Sequence, residues 1–174
     1  MEESVEVLSE EGQLIGKQVS KIVAHRKGLC HGISAVAFID EKGRILLQRR
    51  SELKGTEPGK WDLSGAGHID AHETPEEAAI RELYEELRIQ VRKEDLVCVG
   101  TYVHKKQLDK KHNICHFTYL FLVRKNIRIT DVILQESEVS EVRFLDKKEF
   151  IDMLNKNNMV DAMKHCHILL DYLN

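Results

Sequence analysis

The chain has 174 residues, 42% of them apolar and 32% charged, with a net charge of −3. That length suits one domain around a single sizeable core, and the mix is that of an ordinary soluble globular chain, not a disordered or fibrous one. The near-neutral balance excludes the electrostatic footprint of a nucleic-acid binder, and no apolar run approaches the ~20 residues of a membrane-spanning helix.

The acidic start MEESVEVLSEEG lacks the basic-then-apolar order of a signal peptide. Cys30, Cys98, Cys115 and Cys166 show no CxxC spacing, so a cytoplasmic chain with reduced thiols is expected. Within residues 1–30, SVEVL alternates polar and apolar, EEG turns and LIG resumes, which predicts a hairpin. Apolar residues at 15, 19, 22 and 23 predict a short helix over KQVSKIVAHRKG. ISAVAFID reads as a strand buried on both faces, and DEKG turns into its partner RILLQRR.

SELKGTEPGK is polar and carries Pro-Gly, hence a surface loop, and WDLSGAGHI reads as one short glycine-broken strand. Thr74 is a good N-cap, Pro75 suits the first helical position, and Glu76 and Glu77 favour the positive end of the dipole, so a helix starts there. LVCVGTYVH and ICHFTYLFLVR are two further strands, joined by a basic loop, and EVRFLD is the last. Two helices close the chain over 147–174, the second with apolar residues at 163, 168, 169 and 173 to face the core. The order predicts an α+β fold, a mixed sheet between helices, as one domain over 1–174.

Residues 67–89, GHIDAHETPEEAAIRELYEELRI, hold seven carboxylates. Glu82, Glu85 and Glu86 stand at i, i+3 and i+4, which at ~100° per residue puts them on one ridge. Like charges so placed cost a few tenths of a kcal/mol per pair. Taken alone, such a ridge is most simply a solvated acidic face. The glycine-broken strand before it, however, brings backbone carbonyls toward the same point. Hard oxygen donors so arranged suit Mg²⁺ or Mn²⁺, with waters left for a phosphate to replace.

Gly67, Glu73 and Arg81-Glu82-Leu83-Tyr84-Glu85-Glu86-Leu87-Arg88-Ile89 resemble the Nudix box, G-x5-E-x7-R-E-U-x-E-E-x-G-U, with Arg88 in place of the second glycine. The lead-in LLQRRSELKGTEPGKWDLSGAGHI resembles the isopentenyl-diphosphate-isomerase-like branch of that superfamily, and the likeness runs from about residue 4 to 150. It implies a Nudix fold, an α/β/α sandwich, and a metal-dependent hydrolase that cleaves a diphosphate linkage in a nucleoside diphosphate derivative. It also implies that Glu85 and Glu86 bind Mg²⁺ or Mn²⁺ with Glu82 and the Gly67 carbonyl, and that Arg81 pairs with Glu73 to orient the ridge. A glutamate before the last strand serves many members as base; among Glu136, Glu138 and Glu141, Glu138 is favoured.

His25, His31 and His68 stand where type 1 isopentenyl-diphosphate isomerases place metal-binding histidines, so a second metal site is implied there. Isomerisation is disfavoured. Ala66 occupies the place of the protonating cysteine, and no carboxylate stands near His112 and Asn113, where the isomerase's acidic pair would fall. The hydrolase is therefore expected, with the isomerase and a non-catalytic nucleotide-binding regulatory domain as alternatives. Arg49, Arg50, Lys54 and Lys105 are candidate phosphate partners, along with Lys106, Lys110 and Lys111. The expected partner is a small-molecule diphosphate, with no nucleic acid or membrane, and a homodimer is the commonest oligomer such a chain would form.

Overall fold

The computed structural model describes residues 3–107, 113–156 and 158–173. It opens with the expected hairpin, β1 (Ser4–Leu8) antiparallel to β2 (Leu14–Ser20), followed by α1 (Lys21–Lys27). The helix is shorter than its apolar spacing predicts. Pairing with β1 keeps the chain extended through Ser20, whose hydroxyl then caps α1 by accepting from the Val23 N–H. Ile15 and Ile22, two residues behind that expectation, are exposed.

The sheet is organised around β3 (His31–Ile39). Its near-continuous apolar run is buried on both faces, with Ala35, Ala37 and Ile39 on one side and Val36 and Phe38 on the other. Along its whole length it pairs in parallel with β8 (Asn113–Arg124). On its other edge it pairs antiparallel, first with β6 (Gly65–His68) and then with β4 (Ile45–Arg50). β7 (Leu96–Gln107) borders β8, while β5 (Trp61–Leu63) and β9 (Val139–Leu145) flank β4.

WDLSGAGHI is thus two strands with different partners, not one interrupted strand. Ser64 makes the change of partner: its hydroxyl donates to Leu46 O (2.6 Å) and accepts from Phe38 N (2.9 Å), satisfying backbone groups on both neighbouring strands. Splitting the strand here releases the Gly65–His68 segment to run beneath the acidic helix.

That helix, α2 (Pro75–Leu87), begins with a complete capping box between Thr74 and Glu77. It buries Ala79, Leu83 and Leu87 against Val36, Phe38, Leu46 and Phe121, where truncating one leucine to alanine costs roughly 2–5 kcal/mol. It stops at Arg88, which takes the left-handed conformation (φ 57°, ψ 23°) that a glycine would supply. The Arg88 N–H reaches Tyr84 O, the bond of an αL cap, and the Ile89 N–H reaches back to Leu83 O.

The opposite face is covered by α3 (Lys147–Leu154) and a 3₁₀ helix, Asp161–Tyr172. The last helix therefore differs in type from the expected one. Met163, Cys166 and Leu169 recur every three residues, the 3₁₀ period, and pack with Phe150 on Ala37, Ile39 and Leu122. Leu173 is buried as expected, but Ile168 is turned outward by the same period and is exposed. The layers are helix, mixed sheet, helix, the α+β arrangement expected.

Candidate active site

Arg81 organises the ridge on α2. Its guanidinium holds Glu73 through two bonds, Nε to Oε1 (2.8 Å) and Nη2 to Oε2 (2.9 Å), while Nη1 donates to Glu82 (2.6 Å) and reaches Glu85 (3.4 Å). Nη2 also donates to the His68 carbonyl (2.9 Å), so one side chain ties α2 to the end of β6. Gly67 lies directly under the ridge. A Cβ there would collide with the Glu82 carboxylate, so a larger residue would displace that carboxylate from its place beside Arg81.

The three carboxylates stand in different environments. Glu85 is exposed, Glu82 is half-buried, and Glu86 is buried at 5% exposure. Burial, reinforced by the nearby Glu82 charge, pushes the Glu86 carboxyl up to about 8, and burial also raises Glu82 against the pull of Arg81. Crowded oxygen donors that resist carrying their charges together fit a divalent cation, which relieves the repulsion and replaces the lost hydration.

Glu86 is oriented by Gln48, whose Nε2 donates to its Oε2 (2.8 Å), and by the Ala66 N–H at 3.4 Å. Sequence reading missed Gln48. It lies two residues after Leu46 on β4, hence on the same face, under α2. A lone amide in the apolar run ILLQ was the available signal.

A cavity of about 680 Å³ joins the ridge to Arg50, Lys54, Asp62, Tyr102 and Glu138. Of the three candidate bases, Glu138 lines it and is ion-paired with Lys54, while Glu136 and Glu141 lie outside its lining. The loop before β9 is hung on the end of α2, with Ile133 N bonded to Leu87 O (3.1 Å) and Gln135 N to Glu86 O (2.9 Å). This brings Glu138 to the ridge from a segment some 50 residues away in sequence.

Not every candidate cation arrives. Arg50 and Lys54 line the cavity, but Arg49 turns away to Gly59 O and Glu52, and Lys105 is exposed and paired with Glu10. Alternation along β4 explains the first: successive side chains point to opposite faces, so Arg49 and Arg50 cannot share one. Lys106 pairs with Glu57. Lys110, Lys111 and His112 lie outside the described residues. Trp61 packs half-buried against the core cluster.

His25, His31 and His68 do come together, and a fourth residue joins them. His116 on β8 is the parallel-register partner of His31, and His68 is the partner of Ile33, two positions along the same face. With His25 from α1, the four ring centroids lie 4.9–5.6 Å apart. Burial pushes His31 down to about 4 and holds His68 and His116 well below their ordinary value, with neighbouring imidazoles adding to the effect. A histidine inside the apolar strand ICHFTYLFLV was the missed signal.

A family model described as NUDIX domain matches residues 30–166. The chain belongs to the Nudix family. It is 32% identical to Nudix hydrolase 3 of Arabidopsis thaliana over 90% of this chain, although the match spans only 21% of that protein. It is 33% identical to human isopentenyl-diphosphate delta-isomerase 2, over 90% of this chain and 74% of that one. A crystal structure of a Deinococcus radiodurans protein shares the fold with a TM-score of 0.69 at 18% identity, covering 95% of this chain and 99% of that one. The sheet between helix layers is therefore the Nudix fold, and the chain is a Nudix hydrolase with isomerase-like kin.

Proposed function

We propose that this Nudix hydrolase cleaves a diphosphate linkage in a nucleoside diphosphate derivative by attack of water on phosphorus, using Mg²⁺ or Mn²⁺ held by Glu82, Glu85, Glu86 and the Gly67 carbonyl. The observation that carries this reading is the convergence in one cavity of the ridge carboxylates, the Glu138 carboxylate and the Arg50 and Lys54 cations. Divalent ions bound there would neutralise phosphate charge and lower the pKa of an attacking water. Arg81, gripped by Glu73, orients the ridge, and Gln48 fixes the Glu86 carboxylate.

Arg50 and Lys54 receive the phosphate oxygens. Lys54 is paired with Glu138 before substrate arrives, so a phosphate that takes Lys54 leaves the Glu138 carboxylate to accept the proton of the attacking water. Ala66, standing where an isomerase carries its protonating cysteine, has no proton to give, which favours hydrolysis over isomerisation. The test is turnover of nucleoside diphosphate derivatives and prenyl diphosphates with each metal. A phosphorylated product that depends on metal and disappears in Glu86→Gln is expected. Double-bond migration without diphosphate cleavage would establish an isomerase instead, and saturable nucleotide binding with no turnover would establish a binding module.

A further inference from the structure

We infer that His104, held by Asp161, reads the nucleoside of the substrate by accepting a hydrogen bond from one of its N–H or O–H groups. The inference rests on the hydrolase reading for the nucleoside diphosphate itself, but recognition is a binding event and can be measured without turnover.

On the side opposite α2, the cavity is walled by β7, β8 and the start of the 3₁₀ helix. Alternation along β7 turns Tyr102, His104 and Lys106 to one face, and the β8 residues in register with the first two are Thr118 and His116. Tyr102, His104 and Thr118 line the cavity with Val160, Ala162 and Met163. Tyr102 is a fixed part of that wall: its ring stacks on His165 with 4.7 Å between centroids, and its hydroxyl has Cys166 Sγ at 4.0 Å.

His104 differs, because half of its hydrogen-bonding capacity is unused. It is only 3% exposed, and its Nε2 lies 3.5 Å from Asp161 Oδ2. Its Nδ1 is buried and has no hydrogen-bond partner among the described residues. Lys164, 3.0 Å from the same Asp161 oxygen, holds that carboxyl below the usual carboxylate range, so it stays ionised and accepts the Nε2–H. The tautomer is thereby set, with the lone pair on Nδ1. Burial, together with the Lys164 charge, holds the imidazole below its ordinary pKa, in the neutral form this tautomer requires. An acceptor so placed carries a desolvation penalty that a donor on the ligand offsets.

Charge at this wall also decides what is excluded. Lys106 is balanced by Glu57 and Lys164 by Asp161. An anionic group reaching this wall would meet the Asp161 charge behind His104 and cations already paired, whereas an uncharged base or ribose meets a ready acceptor.

The experiment is calorimetric binding of α,β-methylene nucleoside diphosphates of the four common bases to the full chain in Mg²⁺, with methylenediphosphonate as the ligand that has no nucleoside. His104→Phe should weaken the best nucleotide analogue by about 10-fold, the loss of one hydrogen bond, and leave methylenediphosphonate unchanged. His104→Asn, whose amide oxygen can take the place of Nδ1, should restore part of the loss. A His104→Phe effect that vanishes with the 2′,3′-dideoxy analogue assigns the donor to the ribose, and one that persists assigns it to the base. No nucleotide binding, no change in any analogue, an equal loss for methylenediphosphonate, or no recovery in His104→Asn would overturn the inference. Should His104→Phe fail to fold, the ¹⁵N resonance of His104 Nδ1 in the wild-type protein gives the answer: an unprotonated nitrogen that shifts on saturation is expected, and a protonated one, or no shift, would overturn it. Binding that responds to His104 without turnover of the parent nucleotides would remove the hydrolase reading and leave this one, and turnover indifferent to His104 would do the reverse.

Discussion

The ridge and the histidine cluster are built from adjacent residues, Gly67 under one and His68 within the other, yet burial acts on them in opposite senses. Desolvation pushes both toward neutrality, lifting Glu86 to about 8 and lowering His31 to about 4. A neutral carboxyl must lose a proton before it binds a cation, whereas a neutral imidazole already presents its lone pair. The ridge becomes competent only when a cation compensates its crowded charges, which makes its occupancy responsive to metal concentration and pH.

Glu86→Gln breaks this contrast most sharply. The amide keeps the shape and a contact with Gln48 but cannot become an anionic ligand, so kcat/KM with Mg²⁺ should fall by about 10²–10⁴, equivalent to roughly 3–5 kcal/mol of transition-state stabilisation. Thermal stability should hold or rise, because a buried, crowded carboxylate is removed. Near-full activity would refute the assignment of metal to the ridge.

Gln48→Leu sharpens the same comparison from one layer out. Without the Nε2 donor the Glu86 carboxylate loses its fixed orientation, and second-layer losses of this kind cost about 10–100-fold in metal affinity or activity. The expected signature is a raised Mg²⁺ requirement with much of kcat recovered at saturating metal. A kcat loss that metal cannot rescue would mean that Gln48 serves packing alone.

The two regions also differ in how far the sequence discloses them. The ridge could be read because its three ligands, its clamp Arg81 and its glycine all lie within 67–89, where helical spacing converts directly into shared position. The histidine cluster draws on α1, β3, β6 and β8, and only the parallel register of His31 with His116 shows that the fourth histidine belongs. Strand pairing over such separations is set by tertiary packing, which local patterns do not encode. The same reason hid Gln48, which meets Glu86 across 38 residues, and the change of partner at Ser64. The 3₁₀ helix was missed for a local reason: apolar residues at 163, 168, 169 and 173 fit an α-helical stripe, while the decisive Cys166 was left out of it.

Asp62, on the cavity wall, shows a third response to burial. Desolvation raises its carboxyl to about 6 despite Arg50 at 3.7 Å. Between about pH 4 and 6 the folded chain keeps a proton that the unfolded chain has released. Stability therefore falls as pH rises through that window and stays lowered above it. Asp62→Asn removes the titrating charge. After allowing for the partner that Arg50 loses, the variant should gain on the order of 1 kcal/mol at pH 7 and nothing at pH 4. Urea denaturation at the two pH values measures this, and a difference independent of pH would show that the charge of Asp62 is fully compensated in the fold.

The smallest expected effect lies at Arg88, a departure from the box pattern that touches neither the ridge carboxylates nor the histidine cluster. Its left-handed backbone costs an L-residue roughly 1 kcal/mol relative to glycine, against which its guanidinium stacks 5.0 Å over the Tyr84 ring, worth about 0.5 kcal/mol on an exposed surface. The cap itself is made by backbone groups, Arg88 N to Tyr84 O and Ile89 N to Leu83 O, and survives the substitution. Arg88→Gly should therefore gain about 0.5 kcal/mol, a rise of roughly 1–2 °C in Tm for a chain of this size, with kcat unchanged. A fall in Tm would mean that the Arg88–Tyr84 stack outweighs the backbone cost. A fall in kcat at constant Tm would mean that the helix end transmits to Glu86, two residues before it.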